Sequence, residues 1–229
     1  MQFKTKSVKL SDIAIDGGTH ENYVIGFSDG TRPLYETGIA LMVLAGTGTP
    51  DAIADTGVAG VIGETYRRIA QQTIDYIAWA QHNSGSMRGG WRYTPDGGSD
   101  NSVVQWPAIG MQAAEKEWGL IIPAFVKSEL LLWTTYFQNA NGGFGYDSYG
   151  TPNIGRTGAG VCELSFLGIP SGDSRITRAL TYLNNVWRTQ GCTHTDGNFG
   201  NYYAMYGVAK ACRIAVDSSG EHHEIQFIG

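Results

Sequence analysis

Three kinds of feature are scarce in this sequence, and each shortage excludes a class of protein. Cysteine occurs only at Cys162, Cys192 and Cys212 with no C-x-x-C spacing, which excludes a disulfide framework and a four-cysteine zinc site. Charged residues are 16% of the chain, and lysine and arginine form no basic run. Since the net charge is -5, we predict neither a nucleic-acid partner nor binding to an anionic membrane surface.

Long apolar segments are missing as well. The first ten residues contain no apolar core of the kind a signal peptide needs, and no run reaches the roughly 18 apolar residues of a membrane span. We therefore expect a soluble chain without a transmembrane segment, while its localisation stays open. Segments 1–24 and 217–229 have weak patterns and are predicted to be an extension and a tail around one domain at 25–216. A fragment of a longer secreted protein is one interpretation of such ends.

Glycine, in contrast, is abundant and recurs at regular intervals. The chain contains 32 glycines, and the clusters GGWRY at 89–93, GGFGY at 142–146 and GNFGN at 197–201 begin 53 and 55 residues apart. IGFSDG at 25–30 indicates a fourth copy. Repeats of this length are typical of arrays built from one recurring supersecondary unit.

Two types of helix alternate between these clusters. Apolar stretches rich in small residues follow the glycines at 34–46, 102–115, 157–168 and 202–215, and we interpret them as inner helices that pack closely. Amphipathic stretches at 60–81, 121–139 and 172–189 are predicted to be outer helices, the last capped by Asp173 or Ser174. The sequence thus predicts an all-α fold of about seven helices in hairpins, with YVIGF at 23–27 as the one candidate strand.

The loop from Gln138 to Phe144, QNANGGF, fits the Q-x3-G-x-W/F pattern of the QW repeats in squalene-hopene cyclase and related triterpene cyclases. The adjoining GGF and TGAGVCELSFLG also resemble the prenyltransferase repeat. This resemblance implies a complete or partial α/α toroid over roughly 25–216, in which the glutamine reaches the start of the next helix and the aromatic ring packs over the joint. Looser copies pair Gln81 with Trp91 and Gln190 with Phe199. The predicted structural joints are Gln138, Gly142, Phe144, Trp91 and Phe199.

The catalytic signatures of these relatives are not present. Triterpene cyclases protonate their substrate with a DxDD motif, where this chain has GGSDNSVVQW and keeps only Asp100. We interpret Asp100 as a helix cap in preference to a catalytic acid. The Asp-x-Cys pair and the histidine that hold zinc in protein prenyltransferases are missing too, so no cofactor is predicted. Terpene cyclisation is therefore the weakest of the functional hypotheses.

Two other sets of residues are candidates for catalysis. Glu36 and Glu163 on inner helices, together with Asp100, could supply acid and base groups, although structural ion pairs such as Glu163 with Arg156 are the preferred interpretation. The loop GCTHTDG carries a second set, which could bind a metal or act as nucleophile, base and orienting group. The alternative is that this loop is a plain insertion. That second set is Cys192, His194 and Asp196.

Aromatic side chains near the mouths of the inner helices are candidates for binding a small apolar ligand or a carbohydrate. Our first functional hypothesis is a ligand- or partner-binding module of a longer prokaryotic protein. The alternative is a hydrolase of esters, phosphoesters or glycosides that uses the carboxylates or the Cys/His/Asp loop. About seven helices would form only part of a twelve-helix ring, which favours self-association or contact with the rest of a longer protein. The ligand-binding candidates are Tyr93, Trp106, Arg156, Tyr202 and Tyr203.

Overall fold

A computed structural model describes residues 3–7, 23–28, 30–95, 97–148, 150–187, 189 and 199–214. Seven α-helices occur in these ranges, in the order that the sequence predicts and overlapping the predicted segments, which confirms the all-α fold class. They are α1 (Pro33–Gly46), α2 (Tyr66–Trp79), α3 (Asn101–Trp118), α4 (Ala124–Phe137), α5 (Ile154–Phe166), α6 (Ser174–Val186) and α7 (Tyr202–Ile214). Within the described ranges, no helix combines the length and the apolar character that a membrane span would require.

The described strands form a small antiparallel pair. Strand β1 (Phe3–Ser7) runs beside β2 (Tyr23–Phe27), with Phe3 opposite Phe27 and Ser7 opposite Tyr23. The candidate strand at 23–27 is therefore confirmed. Its partner was missed because FKTKS alternates only weakly and lies in the segment predicted to be an extension, and strand pairing depends on tertiary context more than on local preference.

The chain divides into two compact units. The first comprises Met1–Ser99 and Trp106–Glu129, and the second comprises Asp100–Gln105 and Leu130–Gly229. Helices α3 and α4 each contribute residues to both units, so the division does not follow the helical hairpins.

In the first unit, a threonine joins β2 to α1. The Phe27 amide donates a hydrogen bond of 2.9 Å to Thr37 Oγ1, and the same hydroxyl donates to the Phe27 carbonyl oxygen at 2.9 Å. Thr37 is fully buried, so these bonds satisfy the peptide groups of Phe27, which would otherwise be costly to bury. Phe27 and Ile25 thereby enter an apolar cluster with residues of α1 and α2.

Glycine allows α1 and α3 to touch through their backbones. A Cβ atom at Gly38 would lie 2.3 Å from the carbonyl carbon of Trp106, and one at Gly110 would lie 2.4 Å from the carbonyl oxygen of Gly38. No larger side chain fits at either position without moving a helix. The weak helix propensity of glycine is thus compensated by close packing, as predicted for the inner helices.

In the second unit, α5 packs against α6 and α7. Most residues of α5 are buried, as expected of an inner helix. A Cβ atom at Gly158 would lie 2.7 Å from the carbonyl carbon of Gly207, so α5 and α7 meet at a pair of glycines. The hydrophobic cluster beside this crossing includes Ile154, Leu183 and Val208.

The two QW-like glutamines that lie in the described part make equivalent contacts. Gln138 Nε2 donates to the carbonyl oxygens of Arg175 at 2.7 Å and Gly142 at 3.1 Å. Gln81 Nε2 donates to the carbonyl oxygens of Val126 at 3.0 Å and Gly89 at 2.8 Å. Each glutamine thus joins its own loop to the first turn of the next outer helix.

This contact does not satisfy the free N–H groups at the helix start, from which a side-chain oxygen could accept. The amide instead donates to carbonyl groups. At α6 the Arg175 amide has another acceptor, because it donates to Asp173 Oδ1 at 2.8 Å.

The aromatic rings of the three copies have different surroundings. Trp91 and Phe144 are fully buried, and a Cβ atom at Gly160 would lie 2.5 Å from the Phe144 ring. Trp91 Nε1 donates to the Ile77 carbonyl oxygen at 2.8 Å. Phe199 is 62% exposed and meets Trp187 edge-on with ring centroids 5.2 Å apart.

Two further residues of the predicted joints bear on this comparison. Gly142 has a positive φ of 92°, a conformation that glycine adopts without strain. Gln190, the partner proposed for Phe199, lies outside the described residues. The prediction that Phe199 belongs to a joint therefore stays a prediction.

The α5–α7 crossing gives a first test. Replacing Gly158 with alanine should lower the free energy of unfolding by about 1 to 3 kcal/mol, because the added methyl group overpacks the backbone contact with Gly207. The matched control is Gly46→Ala in α1, where a Cβ atom would meet nothing within 4 Å. Chemical denaturation should show no loss for the control. Equal stability of both variants would contradict the close crossing.

Candidate functional site

Asp100 stands immediately before α3 and caps it. Its Oδ1 accepts from the amides of Ser102 at 2.9 Å and Val103 at 3.1 Å, and also from the Ser102 hydroxyl. Its Oδ2 accepts from the Tyr146 hydroxyl at 3.3 Å. The capping interpretation of Asp100 is therefore confirmed, and the helix dipole stabilises the ionised carboxylate at this position.

The next residue, Asn101, anchors the start of α3 to the loop before α5. Its side-chain amide donates to the Gly145 carbonyl oxygen at 2.7 Å, and its Oδ1 accepts from Trp133 Nε1 at 2.6 Å. The Asn101 backbone amide donates to the Tyr146 carbonyl oxygen at 2.9 Å. These buried bonds position Tyr146 against Asp100.

Arg156 has partners other than a carboxylate. Its Nη1 donates to the Thr151 carbonyl oxygen at 3.0 Å, and its guanidinium carbon lies 5.0 Å from the centre of the Tyr146 ring. This geometry is a cation–π contact, in which the ring face attracts the guanidinium. Arg156 therefore helps to hold Tyr146 in place.

Glu163, in the middle of α5, has no exposed surface. Neither of its carboxyl oxygens has a hydrogen-bond partner among the described residues, so the predicted ion pair with Arg156 is wrong. The prediction failed because spacing along one helix places the two residues on one face, whereas Arg156 turns toward the preceding loop. Burial raises the pKa of Glu163 well above its ordinary value, and the charge on Asp100 raises it further. Burial and the charge on Asp100 therefore both favour the protonated, neutral form of Glu163.

A second polar contact lies between α3 and α7. Gln105 Nε2 donates to the Tyr203 hydroxyl at 2.6 Å, while Gln105 Oε1 has no partner among the described residues. A Cβ atom at Gly207 would lie 3.7 Å from that oxygen. Tyr203 thus has a structural contact, in addition to packing over Gly155.

The second unit therefore contains a capping carboxylate, Asp100, and a buried carboxyl group, Glu163, whose pKa is raised by burial and by the charge on Asp100. Carboxyl groups in such different environments can divide the roles of base and acid in catalysis. Both, however, are completely buried, and a reacting group must come within hydrogen-bond distance of the proton it exchanges. As it stands, the arrangement is suited to a structural role more than to hydrolysis.

The remaining candidates of the first unit have mostly structural surroundings. Tyr93 is half-buried under the guanidinium of Arg32 at 5.2 Å. Trp106 is buried against Tyr35, with ring centroids 4.9 Å apart. Glu36 is half-buried in the first turn of α1.

Three predicted residues lie outside the described part of the chain, and one lies at its surface. Cys192, His194 and Asp196 belong to the ranges that the structure does not describe, so the Cys/His/Asp loop stays a prediction. Among the residues that are described, no three His, Cys, Asp or Glu side chains gather in a way that could hold a metal ion. Tyr202 begins α7 with 82% of its surface exposed.

The described residues also form an apolar pocket that the sequence did not predict. It lies in the first unit and has a cavity volume of about 280 Å³. Its walls come from β2, α1, the start of α2 and the loop between the two helices. Its floor consists of buried core side chains, namely Phe27, Ala40, Ala54, Val61 and Ile69.

Backbone hydrogen bonds hold the loop wall of this pocket. The Ala54 amide donates to the Glu64 carbonyl oxygen at 2.9 Å, and the Gly63 amide donates to the Ala54 carbonyl oxygen at 2.8 Å. The Tyr66 and Arg67 amides, at the start of α2, donate to the carbonyl oxygens of Ala52 and Pro50. A wall fixed in this way forms the pocket before any ligand arrives.

The mouth of the pocket is partly polar. Val43 and the polar residues Thr47, Asp55 and Thr56 line it and are exposed. The apolar residues of DAIADTGVAGVIG, at 51–63, were a signal for this site, because a surface loop seldom needs several Ala, Val and Ile residues. We assigned part of that stretch to the following helix, and so the wall was overlooked.

The pH dependence of stability tests the state of Glu163. Between the unfolded pKa of about 4.3 and the raised folded pKa, the native state keeps a proton that the unfolded chain has lost, so stability falls by about 1.4 kcal/mol per pH unit. The contribution of Glu163 is fully present below the unfolded pKa and is lost as the pH rises. Glu163→Gln preserves the neutral form, so its stability relative to wild type should increase with pH. Denaturant unfolding from pH 4 to pH 8 measures this difference.

The control for this experiment is the same substitution at Glu117, an exposed residue of α3. Any cost of the buried amide in Glu163→Gln is independent of pH, so the slope, and not the absolute stability, is the diagnostic quantity. If Glu163→Gln and Glu117→Gln follow the same pH profile as wild type, Glu163 is ionised in the native state and the account of its burial is wrong.

Comparisons with known proteins add no family to these observations. No protein-family model matches the chain, and a search of curated proteins returns no significant match.

Proposed function

We propose that this protein is a small-ligand-binding module whose binding site is the apolar pocket of the first unit. The observation that carries the proposal is a cavity of about 280 Å³ whose floor is buried core and whose mouth is open at Val43 and Asp55. Ligand pockets of proteins are concave, mostly apolar and largely pre-formed, with volumes from about 300 Å³ upward. The pocket is at the lower end of that range and has the same character.

The size of the cavity limits the ligand. A water-sized group takes about 30 Å³, so 280 Å³ holds a molecule of roughly nine non-hydrogen atoms. The lining provides few polar groups for orienting a sugar. A short aliphatic or alicyclic molecule therefore fits this site better than a carbohydrate.

The resemblance to triterpene cyclases and prenyltransferases enters the proposal as a hypothesis of fold. It is supported by the order of the seven helices and by the contacts that Gln81 and Gln138 make with the first turns of α4 and α6. Under this hypothesis the helical hairpins belong to a partial α/α toroid, and the binding module is part of a longer protein. Function is argued from the pocket, because a fold alone does not specify it.

A neutral probe tests the proposed function. 1-Octanol has nine non-hydrogen atoms, and calorimetric titration should show saturable binding at one site. Val43→Gln should weaken this binding by about fivefold, since it places a polar amide on the apolar wall and removes roughly 1 kcal/mol of apolar contact. Amide resonances of Ala40, Val61 and Ile69 should shift on titration.

The matched control is Leu132→Gln on α4, which changes another exposed aliphatic residue that does not line the pocket. Its affinity for 1-octanol should equal that of wild type. Absence of saturable binding, or an equal loss in both variants, would mean that the pocket is not a binding site.

A further inference from the structure

One acidic side chain at the pocket differs from its neighbours. The walls and the start of α2 carry Asp51, Asp55 and Glu64. Asp51 lies 3.5 Å from Arg67 Nε, and Glu64 lies 3.1 Å from Arg68 Nε. Asp55 forms no ion pair with any described residue, although it lines the mouth of the pocket.

We infer that the pocket selects amphiphiles with a cationic head, in which the aliphatic part fills the cavity and an ammonium group pairs with Asp55. This inference rests on the proposed function and specifies its ligand class. Thr56 lines the same mouth, whereas the Thr47 hydroxyl already donates to the Leu44 carbonyl oxygen and accepts from Thr49. An ammonium group has three hydrogens to donate. Oxygen acceptors above an apolar cavity are complementary to a primary alkylamine.

The charge balance at the mouth supports a cation over an anion. Both arginines at the start of α2 are engaged, Arg67 with Asp51 and with the Trp118 carbonyl oxygen at 2.8 Å, and Arg68 with Glu64. The residues that line the pocket include no lysine, arginine or histidine. A carboxylate head would meet Asp55 without a compensating cation and would be repelled.

The expected preference is modest because Asp55 is exposed. Exposed ion pairs contribute little, and salt screens them. We expect n-octylammonium to bind about threefold more tightly than 1-octanol at low salt, and octanoate to bind more weakly than both. Adding salt should reduce the difference between octylammonium and octanol.

A pair of charge-removing variants tests the inference at neutral pH. Asp55→Asn should remove the preference, so that the ratio of the affinities for octylammonium and octanol falls to about one. Asp51→Asn removes the same charge from the same loop at a residue that does not line the pocket, and should retain the preference. The pair separates pairing at Asp55 from general attraction to a chain of net charge -5.

The outcomes separate this inference from the proposed function. If octanol binds in the pocket and octylammonium has no advantage that depends on Asp55, the head-group inference is wrong and the binding module stands. If both aspartate variants lose the preference equally, net charge explains it and the inference is again wrong. If octanol itself does not bind, the proposed function fails first.

Discussion

The first unit depends on the buried face of α1 at Thr37 and Gly38. The hydroxyl of Thr37 pairs with both peptide groups of Phe27, and Gly38 lets α3 reach the backbone of α1. Two adjacent residues therefore fix a strand and a helix against α1. The pocket floor depends on the first of these contacts, because Phe27 is held there and Ala40 follows one turn later on the same helix.

A different constraint acts in the second unit. There α5 is buried on almost every side, and Glu163 is enclosed without a hydrogen-bond partner among the described residues. A carboxyl group in such a place remains tolerable only while it is protonated, since ionisation without a partner costs far more than burial of the neutral acid. The stability of the second unit is therefore expected to fall as the pH rises, while α5 and α7 pack closely at Gly158 and Gly207.

The sequence was sufficient to predict the helices but not the apolar pocket. Small residues such as Gly38 and Gly158 predicted where helices approach closely, and Asp100 and Asp173 predicted helix starts, because packing and capping are local in sequence. The direction of Arg156 and the isolation of Glu163 depend on tertiary neighbours that spacing along one helix cannot show. The pocket arises from a strand, two helices and a loop that are separated along the chain, and so no single sequence motif predicts it.

In the proposed complex, the alkyl tail of the ligand contacts Phe27 and its ammonium head pairs with Asp55. The most direct measurement is a crystal structure of the protein with n-octylammonium at a concentration that saturates binding in solution. We expect electron density for the alkyl chain between α1 and the 47–65 loop, with the nitrogen within about 4 Å of the Asp55 carboxylate, the distance of an ion pair. An empty pocket under those conditions, or ordered ligand elsewhere on the chain, would contradict it.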